Sequence, residues 1–141
     1  MTYAISEPLQ RAVFAKLAGD PNLSALVGAD IFDAPLPFDG VATPDEYITI
    51  GPERVVEAGS ASSSGAVHDF FVIVHSNSEG FGTAKTIAGA VCDVLLDAQL
   101  VLTRGHVVCL RFLRAKAELG RPPEKRRISL SFRAFVEDNS T

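Results

Sequence analysis

The sequence predicts an α+β fold: a mostly antiparallel sheet of about four to five strands, two main helices on one face, and a long C-terminal β-hairpin. Three observations lead there. Apolar residues recur at helical spacing near residues 9–17 and again near 84–98. Period-two or continuous apolar runs at 47–50, 67–76 and 107–136 read as strands. The length of 141 residues is the usual size of one domain, so a single domain over 1–141 is expected.

Taken in order, Ser6 is placed to cap a first helix whose opening turn holds Glu7 and Pro8 and whose stripe is Leu9, Val13 and Leu17, widened by Phe14. Gly19 ends it. Asp20-Pro21 starts a short helical turn with Leu23, Leu26 and Val27, stopped by Gly28. A short strand over Ile31 to Asp33 precedes a loop broken by Pro35, Pro37, Gly40 and Pro44. Tyr47 to Ile50 reads as a strand, resumed over Arg54 to Glu57, with Gly51-Pro52 marking an edge or bulge. Residues 58–66, rich in Ala, Ser and Gly, have almost nothing to bury and are expected to be mobile in the isolated protein.

Val67 to Ser76 is apolar on both faces, Phe70, Val72 and Val74 on one and Phe71 and Ile73 on the other, so both must be covered. Thr83 can cap a second main helix, with Ala84, Ile87, Ala88, Val91, Leu95 and Ala98 on one side and Lys85, Asp93 and Asp97 opposite. Val107 to about Ala117 is an unusually long strand, roughly 35 Å at about 3.3 Å per residue. Its apolar face, Val108, Leu110 and Phe112, switches to Arg114, Lys116 and Glu118, as if a hairpin over 107–136 leaves the core and projects. Gly120, Pro122 and Pro123 form its tip. In the last strand Ile128, Leu130, Phe132, Ala134 and Val136 alternate with Arg127, Ser129, Ser131, Arg133 and Phe135.

At 47% apolar and 21% charged residues the composition argues against disorder and fibrous repeats. No basic segment followed by an apolar one opens the chain, and no run approaches a membrane span, so a cytoplasmic site of synthesis and no membrane partner are expected. Charge is polarised: residues 1–103 sum to −9 and residues 104–133 to +7. Such a dipole suits head-to-tail contact with copies of the chain or with an acidic neighbour; the plainer reading is that the arginines solubilise an exposed hairpin.

Candidate chemistry is sparse. Cys92 and Cys109 are too few for a disulfide framework and read as small buried hydrophobes or a bridge to each other. Gly80-Phe-Gly82 has Lys85 where a dinucleotide fingerprint needs glycine, and no Walker pattern is present. His68 and His75, seven apart on one strand, point to opposite faces and cannot share a metal alone, and His106 adds no cluster. The serines at 60 and 62–64 lack a nucleophile elbow, and Asp93 with Asp97 is an ordinary solvated pair. Catalytic residues: none; metal: none; cofactor: none; the chain is not expected to be an enzyme. One alternative remains, a basic strand-based nucleic-acid-binding module, because Leu110-Arg-Phe-Leu-Arg114 interleaves cations with an aromatic ring.

The ordered set of Val27-Gly28, Ile31-Phe-Asp-Ala-Pro35, Tyr47-Ile-Thr-Ile-Gly51, His68-Asp-Phe70, Gly80-Phe81 ahead of an Ala-rich helix, Leu110-Arg-Phe112 and Phe132-Arg133 resembles the tail completion, or tail terminator, family of long-tailed phages and gene transfer agents. The resemblance runs the whole length and departs from the family pattern at Glu46 and His75. It implies a ring of subunits, typically six, at the head-proximal end of the tail tube. There the ring stops tube polymerisation and meets the head connector or stopper protein, at the virion head–tail junction, with DNA only as cargo passing through. On this reading Phe71, Ile73 and Phe135 meet neighbouring subunits, and Arg111, Arg114, Arg121, Lys125, Arg126 and Arg127 meet acidic surface on a subunit or the tube. The loop of Gly59, Ser60, Ser62, Ser63, Ser64 and Gly65 would order on assembly.

Overall fold

The computed structural model describes residues 3–33, 44–58, 65–97, 99–119 and 125–138. Helices α1 (Ser6–Ala18), α2 (Pro21–Val27) and α3 (Gly82–Asp97) combine with strands β1 (Ile31–Phe32), β2 (Glu46–Glu57), β3 (Gly65–Ser76), β4 (His106–Leu119) and β5 (Arg126–Glu137). The strands form one five-stranded sheet in the order β1-β2-β3-β5-β4. Among the described strands only the β1–β2 pair is parallel. This is the α+β class and mostly antiparallel sheet that the periodicities predict.

The helices cover one face. Leu9, Val13 and Leu17 of α1, Leu23 and Val27 of α2, and Ile87, Val91 and Leu95 of α3 are buried with Ile48, Ile50, Phe70, Val72 and Val74. β5 supplies Ile128, Leu130, Phe132, Ala134 and Val136 to the same cluster. Phe132 is fully buried and lies 5.7 Å from the Phe70 ring and 5.9 Å from Phe112. Burying each such large side chain contributes about 1.5–3 kcal/mol.

Local signals mostly act as their chemistry suggests. The Asp20 carboxylate accepts from the Leu23 amide at 2.9 Å with Pro21 in the first turn of α2. Gly28, at φ +62°, ends that helix in the left-handed region. Ser6 is different. It is the first helical residue, with Ile5 at the cap position and no side-chain cap, and its hydroxyl donates to Glu53 Oε1 at 2.6 Å. A carboxylate held on the helix-facing side of β2 needs that donor more than a solvated helix end does. Thr83 likewise lies inside the first turn of α3, which begins at Gly82, instead of capping it.

Gly51-Pro52 does not break β2. The strand runs on through a bulge between Ile50 and Glu53, where a proline removes no ladder hydrogen bond. β2 and β3 also run further than expected: Gly65 is buried as the first residue of β3, and its carbonyl accepts from the Ala58 amide at 3.0 Å. Gly65 therefore belongs to the sheet and not to an assembly loop; Gly59, Ser60, Ser62, Ser63 and Ser64 lie outside the described residues.

The largest correction concerns the hairpin. β3 pairs with β5 from Gly65↔Glu137 to Ser76↔Arg126 without a register break, so β5 is interior to the sheet along its whole length. The described part of 107–136 is no projecting arm. β3 is as long as β5 and holds it down, so of the two hairpin strands β4 alone lies at an edge of the described sheet.

Candidate assembly surface

With the helices on one side, the opposite face of the sheet carries no described helix or strand and is bare in that sense, with Tyr47, Thr49 and Ser131 buried on it; its composition follows from register. At one end Tyr47, His75, Arg127 and Glu118 form a row across β2, β3, β5 and β4. Tyr47 stacks on His75 at 4.3 Å and 6°, and His75 Nε2 lies 3.0 Å from Thr49 Oγ1. Burial first, then the positive charges of Arg127 and Lys125, push the His75 pKa down to about 4, so the ring is neutral at pH 7. Arg127 donates to Glu118 at 2.7 Å and holds that carboxyl below the usual range.

Two rows of mixed character follow: Thr49, Ile73, Ser129 and Lys116, then Phe71, Ser131 and Arg114. The next row is Arg54, Asp69, Arg133 and Arg111. Arg133 grips Asp69 with two bonds of 2.8 and 3.0 Å, which, with Arg54 nearby, lowers the Asp69 pKa. That row holds three guanidinium groups and one carboxylate, of which only Arg133 bonds Asp69, leaving a surplus of positive charge. Val56, Val67, Phe135 and Cys109 make an apolar row beyond it. Phe71, Ile73 and Phe135 thus all stand half-buried on this face, as their alternation predicts.

β4 departs from simple alternation twice. Bulges between Val107 and Cys109 and between Phe112 and Arg114 set Val108 and Leu113 outside the ladder, 58% and 41% exposed. The helix-side face of β4 is therefore Val107, Leu110, Phe112, Ala115, Ala117 and Leu119, not Val108, Leu110 and Phe112. Arg114, Lys116 and Glu118 do not replace the apolar residues on that face. The second bulge sends them to the bare face beside Arg111. Adjacent apolar pairs, Val107-Val108 and Phe112-Leu113, are the sequence signal that could have located both bulges.

The cations expected to act together separate into groups. Arg111 and Arg114 are exposed on the bare face. Arg127 is tied to Glu118 there. Arg126 points to the helix side, donates to the Ser78 carbonyl at 3.0 Å and sits 5.6 Å over the Phe81 ring. Lys125 is half-buried just before β5, and Arg121 lies outside the described residues. Phe112 and the two flanking arginines face opposite ways, so this strand offers no single face that both stacks on bases and pairs with phosphates.

His68 and His75 do point to opposite sides, and His68 is fully buried with neither ring nitrogen hydrogen-bonded. Burial holds its pKa down. Cys92 is half-buried and Cys109 exposed, both free thiols, so Cys109 is no core residue: its partner in the ladder, Phe135, faces the bare side. Among the described residues no three His, Cys, Asp or Glu side chains converge as metal ligands. An open groove of about 560 Å³ lies beside α1, bordered by Tyr3, Glu7, Arg11, Phe14, Asp33 and Glu53. Tyr3 and Ser6 both donate to Glu53 there, and burial raises the Glu53 pKa.

Comparison with known proteins places this geometry. A chain from the virion of a native gene transfer agent particle is 46% identical and superposes with a TM-score of 0.85, over 96% of this chain and 99% of that one. A search of curated proteins returns no match. The family described as tail completion protein gp17 matches residues 11–137. With nearly its whole length matched, the chain belongs to the tail completion protein gp17 family.

Proposed function

We propose that this protein closes into a homo-oligomeric ring, of six subunits in the simplest case, on the head-proximal end of a tail tube, ends tube growth there and joins the tail to the head connector. Its family and its virion neighbour give it a structural part in a phage-type tail; the ring and its position are the finer reading. The observation that carries it is a sheet that, among the described residues, has helices on one side only, with half-buried Phe71, Ile73 and Phe135 and surplus cations on the other. A heterologous contact through such a surface, repeated about an axis, closes into a ring. Capping then works by shape and charge, without a bond made or broken.

Purified tail-tube protein provides the test. Tubes assembled with this chain should stop at limited length and carry a ring at one end in electron micrographs. Tubes that keep growing and bear no ring would refute the reading. A gel shift with nucleic acid that weakens steeply with salt would favour the nucleic-acid module instead.

A further inference from the structure

We infer that the bare sheet face near β4 of one copy docks onto the groove beside α1 of the next copy, with Arg111 and Arg114 entering the space between Glu7, Asp33 and Glu53. This rests on the ring reading and names the two surfaces that meet.

Charge decides the pairing. By register, and among the described residues, the bare face holds six cations, Arg54, Arg111, Arg114, Lys116, Arg127 and Arg133, against the carboxylates Asp69, Glu118 and Glu137. Two such faces brought together about a two-fold axis would repel, since like charges juxtaposed across an interface cost several kcal/mol. A second copy can cover the face only with a surface of opposite sign. The α1 groove has three carboxylates, Glu7, Asp33 and Glu53, and one cation, Arg11.

Shape agrees with charge. The groove is about 560 Å³ and has the rings of Tyr3 and Phe14 in its walls. Carboxylates beside aromatic rings suit a guanidinium, which pairs in its plane and stacks on its face. Arg111 and Arg114 are exposed and make no ion pair with another described residue, whereas Arg127 and Arg133 are already bonded to Glu118 and Asp69. The groove lies at the β1–β2 side of the sheet and the arginines at the β4 side, opposite ends of the strand order. Each copy therefore uses two different surfaces, the heterologous geometry that a ring requires.

Reciprocal charge reversal tests this. Variant one is Arg111→Glu with Arg114→Glu; variant two is Glu7→Lys with Asp33→Lys; all four positions are exposed. Assembly is measured by solution mass, alone and with tail-tube protein. Each variant alone should assemble roughly 100-fold more weakly than the parent chain, and an equal mixture should recover the parent mass, because in alternating order every arginine or lysine meets a carboxylate. If either double variant fails to fold, Arg114→Glu and Asp33→Lys singly carry the same test. Variants that assemble like the parent, or a mixture that stays unassembled, overturn the contact and leave the ring reading standing. A parent chain that never assembles, even on tubes, overturns both.

Discussion

Replacing His75 by Phe should make the protein less sensitive to acid. The parent ring is neutral in the fold because its pKa falls from 6.5 to about 4. A histidine whose folded pKa is depressed favours the fold while it is neutral. As pH drops below 6.5 the unfolded chain takes up the proton and the folded chain does not, so stability declines until about pH 4. A fall of about 2.5 in pKa at about 1.36 kcal/mol each sets a ceiling of about 3.4 kcal/mol. The ring is partly accessible beside two cations, and solvent screening reduces the loss to about 1–2.5 kcal/mol. Phe keeps the stack on Tyr47 but drops the contact with Thr49 Oγ1 at 3.0 Å, costing about 1 kcal/mol at every pH. Urea unfolding at pH 7.5, 6.5, 5.5 and 4.5 should show the variant weaker at neutral pH and equal or stronger at pH 4.5. His68, whose pKa is also lowered, and Glu53, whose pKa is raised, act in both proteins and cancel in the comparison. Asp69, depressed below 3.8, loses its contribution only beneath this window. Parallel pH profiles, or a His75 ring titrating near 6.5 by NMR, would refute the reasoning.

Phe132→Ala should destabilise the fold by about 3–5 kcal/mol in urea unfolding, because a fully buried ring between Phe70 and Phe112 leaves a cavity the sheet cannot close; a loss under 1 kcal/mol would contradict that packing. The phase of β4 is tested by a pair of aspartates. Val107→Asp, on the helix-side face, should cost about 2–4 kcal/mol, and Val108→Asp, in the bulge, less than about 1. Equal costs would place the bulge elsewhere.

Much of this fold is legible in the residues themselves. Leu9, Val13 and Leu17 are buried at the spacing that announces a helix, and every second residue from Ile128 to Val136 faces the core. Local geometry sets those periods, so they survive without knowledge of the partners. Ser6 departs from its expected role for the opposite reason: a cap is the default for a serine at a helix start, and only the arrival of Glu53 from β2 changes its bond. The face of Arg114 was equally out of reach, since a bulge is a relation between two strands.

The candidate surface divides the same way. Phe71, Ile73 and Phe135 were assignable to one side by alternation, and the surplus of cations after residue 103 was countable. That Arg126 and Arg127 are held by Ser78 and Glu118 while Arg111 and Arg114 stay exposed was not. The α1 groove joins residues as distant as Tyr3 and Glu53, and no spacing predicts it.

By itself, then, the order of side chains determined the class of fold, the helices, the strands and a polarised distribution of charge, because these follow from periods of 3.6 and 2 and from counting. The tertiary structure alone decided that β3 runs beside all of β5, that two bulges bring the cations of β4 to the bare face, and that a carboxylate-lined groove opens at the other end of the sheet. Those are properties of strand pairing and packing, in which each residue's environment is set by residues far from it along the chain.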